Sequence, residues 1–176
     1  MIISADIRLP FPRPLVYKTY RDNIVEIAPY LSHPNSIDLR SRREEGEKIY
    51  TVYEWHAEDE IPAIARAILS KEMLSWTEYN TWDSSNFTLD WRIKTHVFTE
   101  SVRCGGKNCF FEKGEHTLIQ TRGEFTIDPE QLKSVPFFLR NQIAHIFEDL
   151  IGKKIQPNLI SMGEGVRRYL QLIINN

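Results

Sequence analysis

Residues 75–91 read SWTEYNTWDSSNFTLDW and hold three of the chain's four tryptophans together with a glutamate. The turn-forming residues 83–86 divide this segment into two halves and predict a β-hairpin. Side chains alternate between the two faces of a strand, so the register of the hairpin decides which residues face the protein interior. The indole rings and the glutamate therefore point either into the core or into solvent together.

A turn at residues 83–86 predicts one face rich in large apolar rings and an opposite face rich in polar side chains. The predicted cross-strand pairs of the first face are Trp82 with Phe87, Asn80 with Leu89, Glu78 with Trp91, and Trp76 with Ile93. The opposite face carries Thr77, Tyr79, Thr81, Thr88, Asp90, Arg92 and Lys94. The first face is therefore predicted to be the inner one, with three tryptophans, a carboxyl and an amide.

Composition bounds the class of protein. The chain has 176 residues, of which 41% are hydrophobic and 26% charged, and its net charge is −2. These values predict one compact domain over residues 1–176 and argue against disorder and against non-specific nucleic-acid binding. The first residues lack the pattern of a secretory signal, and no apolar run reaches the ~18 residues of a membrane span. We therefore expect a cytoplasmic protein without stable membrane insertion.

The order of predicted elements is strand, short helices, a run of strands, and a long helix. Residues 2–9 alternate as a first strand, and two short helices follow. A hairpin turns at Glu45-Gly46, but the periodicity of its second strand leaves the inner side of residues 49–56 open. Residues 61–69 predict a brief helix or irregular cover between strands. The helical repeat from Pro136 onward is interrupted at Pro157, which predicts a kink or a new segment.

The two cysteines lie in one short element, CGGKNC, which predicts a tight hairpin. In that hairpin Cys104 and Cys109 would lie close enough for a disulfide, although a reducing compartment favours two thiols. Zinc would need more ligands than His96 and His116 supply, so no metal site is expected. No cofactor is expected either.

The last predicted strand can be sorted by parity as well. Thr121 and Phe125 share the inner face with their neighbours at even spacing, whereas Arg122 and Glu124 face solvent.

An inward Glu78 requires a physical explanation, because an unpaired ionised carboxylate costs several kcal/mol in a dry interior. The carboxyl must be protonated, hydrogen-bonded to a partner such as Asn80 or Tyr53, or wetted by a cavity. A packed core with one satisfied carboxyl is the alternative to a cavity. Rings with scattered polar atoms are more typical of a ligand pocket.

This layout resembles the START-type helix-grip superfamily (SRPBCC). The resemblance implies an α+β fold in which a curved antiparallel sheet of about six to seven strands wraps around a long C-terminal helix, with short helices after strand 1. It also implies an enclosed hydrophobic cavity. Residues 61–69 and the C-terminal helix would then flank the entrance.

The PRELI-like phospholipid-transfer branch is similar in several segments. HPNSIDLRSRREEGEKIYT at residues 33–51, Pro62, the spacing of Glu78 and Asp83, and NLISMGEGVRRYLQLII in the last helix resemble its motifs. The first strand lacks that branch's aromatic signature, and CGGKNC has no clear counterpart in it.

The resulting hypothesis is a protein that binds or carries a hydrophobic or amphipathic small molecule such as a lipid, isoprenoid or polyketide-like compound. The predicted ligand-binding residues are Trp55, Trp76, Glu78, Asn80, Trp82, Leu89, Trp91, Ile93, Thr121, Phe125, Met162 and Val166. One alternative is a cyclase- or hydrolase-type enzyme with Glu78 as general base and His56 as its partner. Another is a protein-interaction module that uses an exposed apolar surface. The sequence leaves the oligomeric state open.

Overall fold

The computed structural model describes residues 1–31, 35–57 and 75–175, except for the side chains of residues 35, 57, 150–154 and 156. Residues 61–69, Pro62 and His33 lie outside the described part. The strands are β1 Ile2–Leu9, β2 Asn35–Glu45, β3 Lys48–Ala57, β4 Ser75–Asp83, β5 Thr88–Thr95, β6 Val102–Lys113 and β7 His116–Ile127. The α-helices are α1 Arg13–Asp22, α2 Ile24–Ile27 and α3 Arg140–Ile174, with 3-10 turns at Ala28–Tyr30, Pro129–Gln131 and Phe137–Leu139.

The seven strands form one antiparallel sheet in the order β1-β7-β6-β5-β4-β3-β2. Consecutive strands from β2 to β7 are neighbours, and β1 joins the far edge beside β7. The segment containing α1 and α2 therefore crosses from one edge of the sheet to the other. Helix α3 packs on the inner face of the sheet, where Met162, Val166 and Leu170 are buried in the core with Leu9. The predicted α+β architecture is confirmed.

Alternating burial shows which face of β1 and of β3 points inward. In β1, Ile3, Ala5 and Leu9 are buried while the residues at even positions are exposed. In β3 the alternation settles the question that periodicity left open, because Tyr53 and Trp55 are buried. The inner side of β3 is therefore the side that carries these two rings.

The central hairpin has the predicted faces but a different register. Trp82 pairs with Leu89, and Glu78 pairs with Ile93, so each predicted partner is wrong by two residues. The cause is the turn, which occupies residues 84–87 and holds Phe87 in the left-handed region at φ 52°. The Asp83 carboxylate accepts hydrogen bonds from the backbone N–H groups of the next turn residues, 85 and 86. A shift of two residues preserves the parity of every side chain, so the inner face is unchanged.

The predicted cysteine hairpin is wrong, because β6 runs straight through CGGKNC. Cys104 pairs with Ile93 and Phe125, whereas Cys109 pairs with Thr88 and Gln120. An odd separation places the two thiols on opposite faces of the strand. Both cysteines are free.

Helix α3 continues through Pro157 without interruption, so the predicted new segment does not begin there. In its C-terminal half, the helix approaches β1 closely at Gly163. A methyl group at Gly163 would lie 2.5 Å from Cγ2 of Ile7. The glycine therefore allows the helix to pack directly on the sheet.

The buried hydrophobic residues in the described part of the chain form two clusters. One joins α1, α2 and the C-terminal part of α3 to one half of the inner face and includes Tyr17, Trp82 and Phe110. The other joins the N-terminal part of α3 to β6 and β7 and includes Phe125 and Ile143. The inner face of the sheet lies between the two clusters, and Trp91 packs against both of them.

Candidate functional site

The inner face of the sheet is organised in rows, because residues paired across neighbouring strands lie side by side. The first row across β3 to β7 is Tyr53, Glu78, Ile93, Cys104 and Phe125. The second row is Thr51, Asn80, Trp91, Gly106 and Gly123. The third row is Ile49, Trp82, Leu89, Asn108 and Thr121.

Accessible surface is concentrated in the middle of this face. We call the following partly accessible inner-face residues the central patch: Trp76, Glu78, Trp91, Ile93, Gly106 and Gly123. The third row, by contrast, is closed to solvent, since Trp82 is 0% and Leu89 2% exposed. Trp91 packs against both hydrophobic clusters, so the central patch lies where they meet. An inward surface that retains accessible area between two packed clusters is a candidate ligand site.

Glu78 is the acidic group of the central patch. Its Oε1 accepts a hydrogen bond from Nδ2 of Asn80 at 2.7 Å. Burial raises the pKa of Glu78 from 4.5 to about 7, and the Asn80 hydrogen bond opposes that rise. The carboxyl is therefore both hydrogen-bonded and able to change its charge near neutral pH.

Three further titratable groups face Glu78 from different elements. Burial raises the pKa of Tyr53 on β3 to about 12 and the pKa of Cys104 on β6 to about 12, and the negative charge of Glu78 adds to both increases. Burial and the charge of Glu78 also raise the pKa of Tyr20 on α1. These groups stay neutral at physiological pH, which leaves Glu78 as the member of the group that titrates there.

Two tryptophans stack beside Glu78. The rings of Trp55 and Trp76 lie 5.7 Å apart at an interplanar angle of 10°. The Nε1 atoms of both indoles and the Oδ1 atom of Asn80 are buried without a hydrogen-bond partner among the described residues. Buried polar atoms usually have a partner, so these atoms are candidates for contact with a bound molecule.

Two glycines form the floor beneath Trp91. Gly106 and Gly123 pair across β6 and β7, and Cβ atoms built on them would lie 2.6 Å and 3.1 Å from the Trp91 ring. Only residues without a side chain let the indole approach the sheet this closely. The ring is held in place by its Nε1, which donates to Oδ1 of Asn108 at 3.0 Å.

The glycine floor was missed at the sequence level, since CGGKNC was interpreted as a turn. A usable signal was present: Gly106 and Gly123 have inward parity on neighbouring strands. Two such glycines indicate that something large lies flat above them.

The remaining predicted ligand-binding residues lie in closed parts of the core. Trp82 contacts the ring of Tyr17 at a centroid distance of 5.6 Å, and its Nε1 donates to Oγ1 of Thr51 at 3.3 Å. Leu89, Thr121, Phe125, Met162 and Val166 are also buried. Of the predicted ligand-binding residues, the others lie in the packed core, whereas six lie in or beside the central patch: Trp55, Trp76, Glu78, Asn80, Trp91 and Ile93.

The alternative partner of Glu78 does not face it. His56 lies on the outer side of β3, where its Nε2 is 3.8 Å from Oδ2 of Asp38. His96 is also on the outer side, with Nε2 3.3 Å from Oε1 of Glu54. The hypothesis that His56 is the partner of Glu78 is therefore wrong.

Over residues 1–31, 35–57 and 75–175, no group of three or more His, Cys, Asp or Glu side chains is arranged to hold a metal ion. No helix within the same ranges is long and apolar enough to cross a membrane.

Comparison with solved structures decides the fold. The structure of TTHA0849 from Thermus thermophilus is similar with a TM-score of 0.68 at 19% identity, covering 98% of this chain and 99% of that one. The Zhui aromatase/cyclase from Streptomyces sp. R1128 has a TM-score of 0.61 at 15% identity, with coverage of 96% and 95%. Norcoclaurine synthase from Thalictrum flavum has a TM-score of 0.60 at 11% identity, with coverage of 97% and 86%. The chain has the helix-grip fold.

At these identities the likeness concerns the helix-grip fold alone. No protein-family model matches the chain. No curated protein sequence matches it significantly. The resemblance to the PRELI-like branch stays a prediction.

Proposed function

We propose that the chain binds or carries a hydrophobic or amphipathic small molecule at the central patch. The observation that supports this most directly is the accessible surface of Trp76, Glu78, Trp91 and Ile93 on a face whose neighbouring row is closed. A well-packed core does not leave large rings partly accessible beside a carboxyl. An empty ligand site does leave such rings accessible, because the bound ligand completes the packing around them.

The side chains divide the binding task by chemistry. Trp76, Trp91 and Ile93 offer apolar surface, and the glycine floor fixes the plane of the Trp91 ring. Glu78 and Asn80 offer hydrogen-bonding atoms among these apolar side chains. A mainly apolar surface with a few placed polar groups is the usual composition of a small-molecule site. This arrangement favours a ligand with a ring or chain body and one polar end.

Native mass spectrometry of freshly purified protein, followed by solvent extraction, tests the proposal directly. We expect a stoichiometric adduct that extraction releases as an apolar compound. Binding of an environment-sensitive apolar dye gives a second readout. We expect Trp91→Leu to weaken dye binding at least tenfold, whereas Tyr79→Leu, on the outer face of the same sheet, leaves it within twofold. A clean apo mass together with equal dye affinities for both variants would reject the site.

A second candidate function is enzymatic, with Glu78 as general base. The specific observation in its favour is the pKa of Glu78, which burial raises to about 7, near the pH at which a general base works best. Two solved structures that share the fold bear enzyme names, an aromatase/cyclase and a synthase. Fold likeness supplies no residue roles, so this candidate depends on Glu78 itself.

The ring opening of 5-nitrobenzisoxazole by a carboxylate base tests this candidate without knowledge of the natural substrate. We expect the rate to rise through an apparent pKa near 7 and to fall to the background level in Glu78→Gln. Glu124→Gln, which removes an exposed carboxyl from the outer face, serves as the matched control. A rate unaffected by Glu78→Gln would exclude the base role and leave the binding proposal intact.

A further inference from the structure

We propose that the ligand of the central patch carries a protonated amine, which pairs with the Glu78 carboxylate among the surrounding aromatic rings. This inference rests on the proposed binding function and adds to it the chemical class of the polar end. The ligand would then be an amphipathic cation with an aromatic or other apolar body.

The first support is the charge of the site. Among the described residues, Glu78 has the amide of Asn80 as its hydrogen-bond donor and no cationic partner. Among the described residues, the inner-face arginine Arg42, which pairs with Thr51, already has anionic partners. Arg42 on edge strand β2 bonds Asp22 at 2.9 Å and Glu44 at 2.7 Å. A bound ammonium group would supply the counter-charge that the described site lacks.

The second support is the set of rings around the carboxyl. Tyr53 is the cross-strand partner of Glu78, and Trp91 lies diagonally from it in the next row. Trp76 precedes Glu78 by two residues on the same strand and therefore faces the same side. The faces of indole and phenol rings attract cations, most strongly where water is excluded. A carboxylate among such rings suits an ammonium group better than it suits a hydroxyl group.

Electrostatics also disfavours the other classes of ligand. A carboxylate or phosphate ligand would meet the negative charge of Glu78 and the negative faces of the rings. A neutral alcohol would gain one hydrogen bond and leave the buried charge uncompensated. A cation gains from both the carboxylate and the rings, so it should bind most tightly once Glu78 is ionised.

The pH dependence of binding has a definite sign. Among the described residues, the titratable groups that face Glu78 are Tyr20 from α1, Tyr53 from β3 and Cys104 from β6, and each is held neutral by a raised pKa. The side chains of strand β5 next to Glu78 are those of Trp91 and Ile93. The described α3 residues in the adjoining clusters, such as Leu159 and Met162, are apolar. Amine affinity should therefore rise as pH increases from 5.5 to 8 and Glu78 loses its proton. Affinity for a neutral ligand should not rise.

Isothermal calorimetry with three matched probes tests the inference: 2-(2-naphthyl)ethylamine, 2-(2-naphthyl)ethanol and 2-naphthylacetate. At pH 8 we expect the amine to bind at least tenfold more tightly than the alcohol, and the carboxylate most weakly. Between pH 5.5 and 8 the amine affinity of the wild-type protein should rise about tenfold. Glu78→Gln should lower amine affinity at least tenfold and alcohol affinity less than threefold, with Glu124→Gln unchanged for both.

The outcomes separate this inference from the binding function. If none of the three probes binds, the proposed binding function itself fails. If the alcohol binds as tightly as the amine, or if the amine keeps its advantage in Glu78→Gln, the amine inference is overturned while the binding function stands. The pH series on the wild-type protein tests the amine inference even if Glu78→Gln does not fold. An amine affinity that stays constant or falls between pH 5.5 and 8 would contradict the inference.

Discussion

Replacing Glu78 with glutamine should change how the stability of the protein depends on pH. Burial raises the pKa of this carboxyl from 4.5 to about 7. Since each pKa unit corresponds to 1.36 kcal/mol, the ionised form costs the folded state up to about 3 kcal/mol. The side chain is partly accessible, so water reaching the central patch lowers that cost. We therefore expect an effect of about 2 kcal/mol.

The sign follows from which state holds the proton more tightly. Below pH 4.5 the carboxyl is neutral in the folded and unfolded chains, and Glu78 makes no pH-dependent contribution. As pH rises from 4.5 to 7, the unfolded chain ionises while the folded chain resists, so wild-type stability falls. Above pH 7 the full cost is present. Glutamine never ionises, so Glu78→Gln should match wild type near pH 4.5 and exceed its unfolding free energy by about 2 kcal/mol at pH 8.

Urea unfolding followed by circular dichroism at pH 5, 6, 7 and 8 measures this difference directly. Groups common to both proteins cancel in the comparison, including Tyr20 and Cys104. Glu124→Gln, on the exposed outer face of β7, should differ from wild type by less than about 0.5 kcal/mol at every pH. A difference between Glu78→Gln and wild type that does not change with pH, or that grows toward acid, would refute the account of a desolvated carboxyl.

Three other predictions concern packing and reactivity. Gly106→Ala should destabilise the protein by about 1–2 kcal/mol and lower Tm by several degrees in calorimetry, because its methyl would lie 2.5 Å from a β7 carbonyl oxygen; Gly105→Ala, with its closest approach at 3.1 Å, should cost less than half as much. Gly163→Ala should cost about 1 kcal/mol in urea unfolding despite its better helix propensity, and a stabilised variant would contradict the close packing of α3 on β1. In the native protein iodoacetamide should modify Cys109 and spare Cys104, whose pKa burial raises to about 12; equal rates in peptide mass mapping would contradict this.

Parity made the inner face predictable even though the hairpin register was wrong. The turn was predicted at residues 83–86 and lies at residues 84–87. The predicted partner of Glu78 was Trp91 and the observed one is Ile93, and both belong to the inner face. An error of two residues moves a side chain along a strand without turning it over. An error of one residue would have reversed the whole assignment.

The division of the inner face into closed and accessible parts could not be predicted from the hairpin. Trp82 and Trp91 both have inward parity in the hairpin. Trp82 is closed because Tyr17 and Tyr20 on α1 pack against it at centroid distances of 5.6 Å and 5.8 Å. Those contacts join positions more than sixty residues apart, which periodicity within a strand does not report. Helix α1 is therefore as important as the sheet in deciding which tryptophans remain available.

The position of the Trp91 ring has its own physical cause in the glycine pair. Cβ atoms at positions 106 and 123 would lie 2.6 Å and 3.1 Å from this ring, so side chains there would push it away from the sheet. With glycine at both positions the Trp91 ring packs close to the sheet, and its hydrogen bond to Asn108 keeps it there. The ring then lies diagonally from Glu78 on the neighbouring strand, and this carboxyl has no cationic partner among the described residues. Under the proposed function, the same two glycines hold the apolar surface of Trp91 beside the carboxyl that would select the ligand.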